Sequence, residues 1–270
     1  MAQSKLIVHP GGADDGVGHR ITPASAGWRY VGFETRTLKQ GAKSKLDTGG
    51  DEACIVILSG KARVTAGGFD CGTIGERASV FDGLPWSVYL PPRSSAIIEA
   101  ALDCELALCS APASGRYQAR VIKPDEVGTL TRGSGSNARF IRNVLPEDAE
   151  AESVLVVEVI TPAGHWSSYP PHKHDRDALP DESYLEETYY HRLKPAQGFA
   201  FQRVYTEDGS LDEALTVKDG DVVLVPRGYH PVGAPHGYDL YYLNVMAGPK
   251  RVWRFHNDPA HEWLMTQATA

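Results

Sequence analysis

Apolar and polar positions along the chain alternate in short stretches divided by Gly, Pro, Asp and Asn. No amphipathic helical pattern runs longer than about three turns. In the first half the pattern predicts strands over 28–38, 53–60 and 61–65, the last two joined at Ser59-Gly60. Further strands are expected over 87–90 (stopped by Pro91-Pro92), 95–100 and 104–109. Segments 116–124 and 140–144 read as strands or connections, with Gly133-Ser-Gly-Ser-Asn as a flexible loop before the second. The second half repeats the pattern, with strands over 153–161, 187–193, 198–206, 213–217, 221–225, 239–245 and 252–255, and a helical turn over 180–186. Short strands at such spacing form a sandwich or barrel rather than alternating strand–helix units.

The two halves also correspond in sequence. Gly220-Asp-Val-Val-Leu-Val-Pro-Arg-Gly-Tyr-His230 resembles a second cupin motif, with Gly220, Pro226, Gly228 and His230 in register. Glu52-Ala-Cys-Ile-Val-Ile-Leu-Ser-Gly60 resembles a first cupin motif without its histidines, and 81–93 a second motif without its ligand. The resemblance implies an all-β protein of two tandem cupin (jelly-roll) domains. Residues 1–125 are expected to form a degenerate domain without metal ligands, and 126–270 the domain with the metal and active site.

Candidate chemistry concentrates in that second domain. Of ten histidines, eight lie at 165 or beyond. His172 and His174 stand two apart, so on an extended strand both imidazoles leave the same face. Glu187 opens the strand that follows the 176–186 insertion, in phase with Tyr189 and His191, while Glu186 is the alternative on the opposite face. With His230 these residues make three imidazoles and a carboxylate, a donor set for one divalent metal ion: Zn, Mn, Fe or Ni. Around them, Arg203 stands in the apolar stretch Phe199-Ala-Phe-Gln-Arg-Val-Tyr, where it would suit bidentate capture of a carboxylate. Lys173 lies between two of the histidines; Tyr229 and Tyr241 are expected as pocket walls or proton donors, and His236 beside the pocket.

Composition narrows the partners. The net charge of -7 argues against general affinity for nucleic acid or anionic membrane. No apolar run reaches the roughly 20 residues that span a bilayer. Cys54, Cys71, Cys104 and Cys109 form no CxxC pair, so free or buried thiols in a cytoplasmic protein are expected.

Four longer stretches carry a closer resemblance: His165-Trp-Ser-Ser-Tyr-Pro-Pro-His-Lys-His-Asp, Tyr184-Leu-Glu-Glu-Thr-Tyr-Tyr-His, Gln197-Gly-Phe-Ala-Phe-Gln-Arg-Val-Tyr-Thr and Asp219-Gly-Asp-Val-Val-Leu-Val-Pro-Arg-Gly-Tyr-His. Together they resemble the 5-deoxy-glucuronate isomerases of bacterial inositol catabolism and, more distantly, the 4-deoxy-threo-5-hexosulose-uronate ketol-isomerases. The resemblance implies aldose–ketose isomerisation of a small uronate through an enediol, with His172, His174, Glu187 and His230 as metal ligands. It leaves a metal-facing Glu or His, or Tyr241, as the base, and Arg203 or Lys173 as the carboxylate holder. A homo-oligomer is expected, because cupins readily exchange strands between subunits. An Fe(II) cupin dioxygenase and a non-catalytic sugar-binding cupin are the competing readings.

Overall fold

The computed structural model describes residues 4–12 and 16–265. Their regular structure is nearly all β; the helices are one short α turn, Pro23–Ala26, and three 3-10 turns. The chain divides into two compact units, but not at a single cut between 125 and 126. One unit takes 10–128 together with 143–157; the other takes 1–9, 129–142 and 158–270.

The first of these units is a sandwich. Its larger sheet runs Arg120–Ile122, Ser87–Leu90, Asp51–Ser59, Cys104–Pro112, Gly32–Leu38, Val17–Ile21, and its smaller sheet Lys43–Asp47, Ser95–Ala100, Ala62–Ala66, Phe69–Ile74. Lys43–Asp47 (KSKLD) escapes a hydrophobic reading because its side chains are largely exposed. Ile55, Ile57, Val64, Val88, Leu90, Ile98 and Leu106 fill the interior, all shielded from solvent. Each such side chain contributes about 1.5–3 kcal/mol on burial. Aliphatic packing thus occupies the space where a metal-bearing sandwich holds ligands. The four cysteines are free thiols.

One buried carboxylate organises this unit. Glu52, fully shielded, accepts hydrogen bonds from Tyr89 Oη (2.7 Å) and from the backbone N–H groups of Glu152 (2.9 Å), Ser153 (2.6 Å) and Val154 (2.8 Å). It brings the 152–154 segment onto strand Asp51–Ser59.

In the second unit the strand Glu186–Lys194 lies between Val222–Val225 and Asp239–Ala247. The sheet continues past Asp239–Ala247 into Leu155–Thr161. Its other edge is supplied by the start of the chain. Ile7 and Val8 pair with Val223 and Val222, and His9 Nδ1 lies 2.7 Å from Asp221 Oδ1. A four-stranded sheet, Trp166–Ser167, Val232–Gly233, Ala200–Tyr205, Asp212–Val217, packs across from it. Gln202 crosses the gap: its Oε1 accepts from His191 Nε2 at 3.0 Å. Two expected elements differ. Segment 180–186 is no helical turn but part of a β-hairpin, Asp175–Ala178 with Glu182–Tyr184, and the last strand is His256–Asn257 rather than 252–255. The hairpin forms because Glu182 has a buried cationic partner, a tertiary contact that local propensity does not encode.

Replacing Glu52 by Ala strands three backbone donors and a phenol in a dry interior, so E52A is expected to lose about 3 kcal/mol or more in urea unfolding, and E52Q less. Unchanged midpoints in both variants would remove Glu52 from its organising role.

Candidate metal centre

Strand Glu186–Lys194 presents Glu187, Tyr189 and His191 to the interior of the second unit, as the two-residue repeat of a strand requires. The neighbouring strand sets Met246, Asn244 and Tyr242 directly opposite these three. Glu187 Oε1 accepts from Asn244 Nδ2 at 2.5 Å, which turns Oε2 toward the imidazoles. His174 Nε2 lies 3.0 Å and His230 Nε2 3.2 Å from that oxygen. Glu186, on the opposite face, does not take part.

Both imidazoles are oriented by their other nitrogen. His174 Nδ1 donates to Leu185 O at 3.0 Å, and His230 Nδ1 donates to Gly228 O at 2.8 Å. With the proton held on Nδ1, each Nε2 offers a lone pair to the same point. With no metal bound, a proton on His174 Nε2 bridges to the Glu187 carboxylate, and a cation at the same point can take that proton's place. His230 Nε2 is buried without a hydrogen-bond partner. The donor atoms of His174, Glu187 and His230 lie within 4.8 Å of one another, so this group can hold a metal ion. His172 adjoins the group, its ring centroid 5.1 Å from that of His230 and 6.4 Å from that of His174.

The charges follow from this packing. Burial raises the Glu187 carboxyl, but the imidazoles of His230 and His174 outweigh it and hold it at about 2. Burial lowers His174, but its hydrogen bond to Glu187 and the carboxylate charge bring it above the ordinary imidazole value. His172 lies well below that value, chiefly through burial and also through His230 and His174. Burial and the Glu187 charge raise Tyr189 well above 10. Its hydroxyl stays protonated, 2.9 Å from Ser168 Oγ.

A buried ion pair positions these segments. Lys173, only 2 % exposed, turns away from the imidazoles and reaches Asp175 Oδ1 (2.8 Å) and both Glu182 oxygens (3.0 Å). Asp175 Oδ2 accepts from the Gly228 N–H at 2.8 Å, and Leu185 N donates to His174 O at 2.9 Å. The 176–186 insertion therefore doubles back as a hairpin and delivers Glu187 opposite His174. Phe255 packs on His172, centroids 4.6 Å apart, and Asn257 pairs with it.

Several expected site residues lie elsewhere. Arg203 is exposed and paired with Asp212 (2.8 Å), because Ala200, Gln202 and Val204 take the inward phase of that strand. Tyr241 faces the other side of its strand from Asn244, its hydroxyl donating to Glu158 Oε1 at 2.8 Å. Lys173, expected as a carboxylate holder, is instead paired with Asp175 and Glu182 of the chain itself. Tyr229 is buried on the same side as Lys173, donating to Glu207 Oε1 at 2.8 Å. His236 sits in an exposed turn. Asn244 was not singled out by sequence, since an amide in a run of buried residues carries no periodic signal. A cavity of about 730 Å³ opens beside His172, lined also by Arg132, Arg139, Tyr169, Phe255 and Asn257.

Two outcomes are expected. Lys173→Met leaves two carboxylates without their cation, and should cost about 3–5 kcal/mol in thermal or urea unfolding and weaken metal uptake, whereas His236→Ala should change neither. His191, at about 4 through burial with Gln202 opposing, is held neutral, its Nδ1 facing no acceptor. Its folded pKa lies below the unfolded 6.5, so its contribution is complete above pH 6.5 and falls away toward pH 4. A loss of about 3 kcal/mol across that window should flatten in His191→Gln; an equally steep profile in the variant would place the pH dependence in another group.

Comparison with known proteins places this geometry in a family. The description "KduI/IolB family" matches residues 6–264. A relative from Geobacillus kaustophilus named 5-deoxy-glucuronate isomerase is 56 % identical over 252 residues, 93 % of this chain and 91 % of the relative. A Bacillus subtilis relative of the same name is 50 % identical over 92 % of each. The crystal structure of an IolB-like protein from Salmonella typhimurium superposes with a TM-score of 0.95 at 48 % identity, covering 97 % of this chain and all of that one. Oxalate decarboxylase from Lactobacillus farciminis shares the fold at a TM-score of 0.66 and 16 % identity, over 98 % of this chain and 91 % of that one. The fold is the tandem cupin arrangement, and the chain belongs to the KduI/IolB family.

Proposed function

We propose that this chain is an aldose–ketose isomerase that converts 5-deoxy-D-glucuronate to 5-dehydro-2-deoxy-D-gluconate in inositol catabolism. The observation that carries this reading is the 56 % identity, over 93 % of the chain, to a relative named for that activity. The buried cluster beside a cavity gives the reading a chemical basis. His172, His174, Glu187 and His230 would hold one divalent ion, and Zn, Mn, Fe and Ni each suit such nitrogen and oxygen donors. When bound, the ion supplies Lewis-acid polarisation of the oxygens on the two reacting carbons.

The chain's own residues account for the remainder. Asn244 fixes the Glu187 carboxylate, and the carbonyls of Leu185 and Gly228 fix the His174 and His230 rings, so little reorganisation accompanies binding. A proton leaves the carbon beside the aldehyde and returns to the aldehyde carbon through the enediol. Tyr189, its ring centroid 5.7 Å from that of His230 and its hydroxyl protonated and held by Ser168, would donate to a substrate oxygen; Tyr241 is committed to Glu158. The cytoplasm and a homo-oligomeric assembly belong to the same reading; separately, no helix among the described residues is long and apolar enough to cross a membrane.

The test is turnover of 5-deoxy-D-glucuronate by metal-loaded protein, without oxygen and in deuterated water, followed by NMR. The expected product is the ketone with deuterium at the former aldehyde carbon, lost on chelation and in His174→Ala. Turnover only with oxygen would replace this reading with an oxygenase, and no turnover in either condition would leave a binding protein.

A further inference from the structure

The cavity beside His172 holds two arginines without an acid. Arg139 is 7 % exposed, and its Nη1 donates to Asn137 O and Tyr169 O, both at 3.1 Å. No carboxylate among the described residues pairs with it, and Nη2 and Nε have no protein acceptor there. Arg132, half-buried, lies over the Phe255 ring at 5.6 Å and has no ion pair among those residues either. Every other buried cation near the site is matched: Lys173 by Asp175 and Glu182, Arg142 by Glu158. A nearly buried guanidinium without a counter-ion is uncommon, because desolvation is then uncompensated. Burial lowers the Arg139 pKa, and the neighbouring Arg132 adds to the shift, consistent with two like charges facing one space.

The local backbone is shaped to keep Arg139 there. Gly133 has φ +79, and a Cβ on it would lie 2.3 Å from Asn137 O and 2.9 Å from Arg139 Nη1. Only glycine lets the 133–137 turn close against the guanidinium. Two carbonyls then orient its fork, while its free N–H groups and the imidazole of His172 line the same cavity.

We infer that Arg139, aided by Arg132, forms the carboxylate subsite of this cavity, and that it selects sugar acids over neutral sugars of the same length. The inference rests on the proposed reaction only for the identity of the natural substrate; the preference for an anion follows from the cavity itself. A carboxylate on the fork of Arg139 would make paired charge-assisted hydrogen bonds and supply the missing counter-ion. The other end of the molecule would then lie toward His172 and the metal cluster. Arg203 and Lys173, which sequence suggested for this task, are both already paired with carboxylates of the chain.

The test uses metal-loaded protein and two ligands that cannot isomerise: 2-deoxy-D-gluconate and its neutral counterpart 2-deoxy-D-glucitol, titrated by calorimetry. The wild type is expected to bind the acid about tenfold or more tightly than the polyol. Arg139→Gln should abolish that discrimination, and Arg132→Ala and Arg139→Lys should reduce it about threefold or more, with metal content unchanged. The last two variants carry the test if Arg139→Gln does not fold. Equal binding of acid and polyol by the wild type would overturn the inference. So would discrimination that survives all these substitutions, which would mean that the metal itself holds the carboxylate. If 5-deoxy-D-glucuronate is not turned over but Arg139→Gln still loses the acid preference, the subsite stands and the proposed reaction falls.

Discussion

A single buried ammonium holds the candidate centre together. Lys173 costs free energy to desolvate, and its return comes through geometry rather than net attraction. It closes Asp175 and Glu182 across the hairpin, and Asp175 in turn holds the Gly228 N–H, two residues before His230. Through Gly228 O the same linkage sets the tautomer of His230. Three segments far apart in sequence, around 173, 182 and 228, are thereby registered to within hydrogen-bond tolerance. A metal site of scattered ligands needs such a frame, because its ligands come from segments that local structure alone does not bring together.

The two sandwiches show what a ligand set costs. In the unit built around Asp51–Ser59, the core between the sheets is aliphatic, and the shielded Glu52 is met by Tyr89 and by backbone N–H groups. In the other, Glu187, His174, His230, Tyr189 and His191 share one interior, and each requires a specific partner: Asn244, Leu185 O, Gly228 O, Ser168 and Gln202. These partners are polar groups spent on orientation. They make the centre rigid, and they explain why its periphery holds so many residues with no chemistry of their own.

The β class, most strands and the candidate group His174, Glu187 and His230 were legible from sequence, since alternation and spacing are local properties. Orientation within strands was less so. Phe199 and Phe201 point outward, at 38 % and 49 % exposure, so apolar residues lie on both faces of that strand and give no phase that would place Arg203, which stands on the solvent side with Phe201. On Asp239–Ala247 almost every position is buried, so alternation carries no phase and Tyr241 could not be told from Tyr242. The hairpin within 176–186 is set by a tertiary ion pair, and Arg139 is given its significance only by what is missing around it. Both are relations between distant residues, which a linear pattern does not record.

Two segments far apart in sequence, 7–8 and 255–257, complete the second unit. Ile7 and Val8 form its edge beside Val222–Val225, and Asn257 pairs with His172 while Phe255 covers its ring. During synthesis the strand Ile7–Val8 must therefore wait for a partner more than two hundred residues later, and His172 stays uncovered until residues 255–257 have emerged. The other unit, drawn from 10–128 and 143–157, is complete in sequence about a hundred residues before Asn257. Assembly of the metal-binding pocket thus becomes a late event, and an incompletely made chain has a packed aliphatic sandwich but no finished metal pocket.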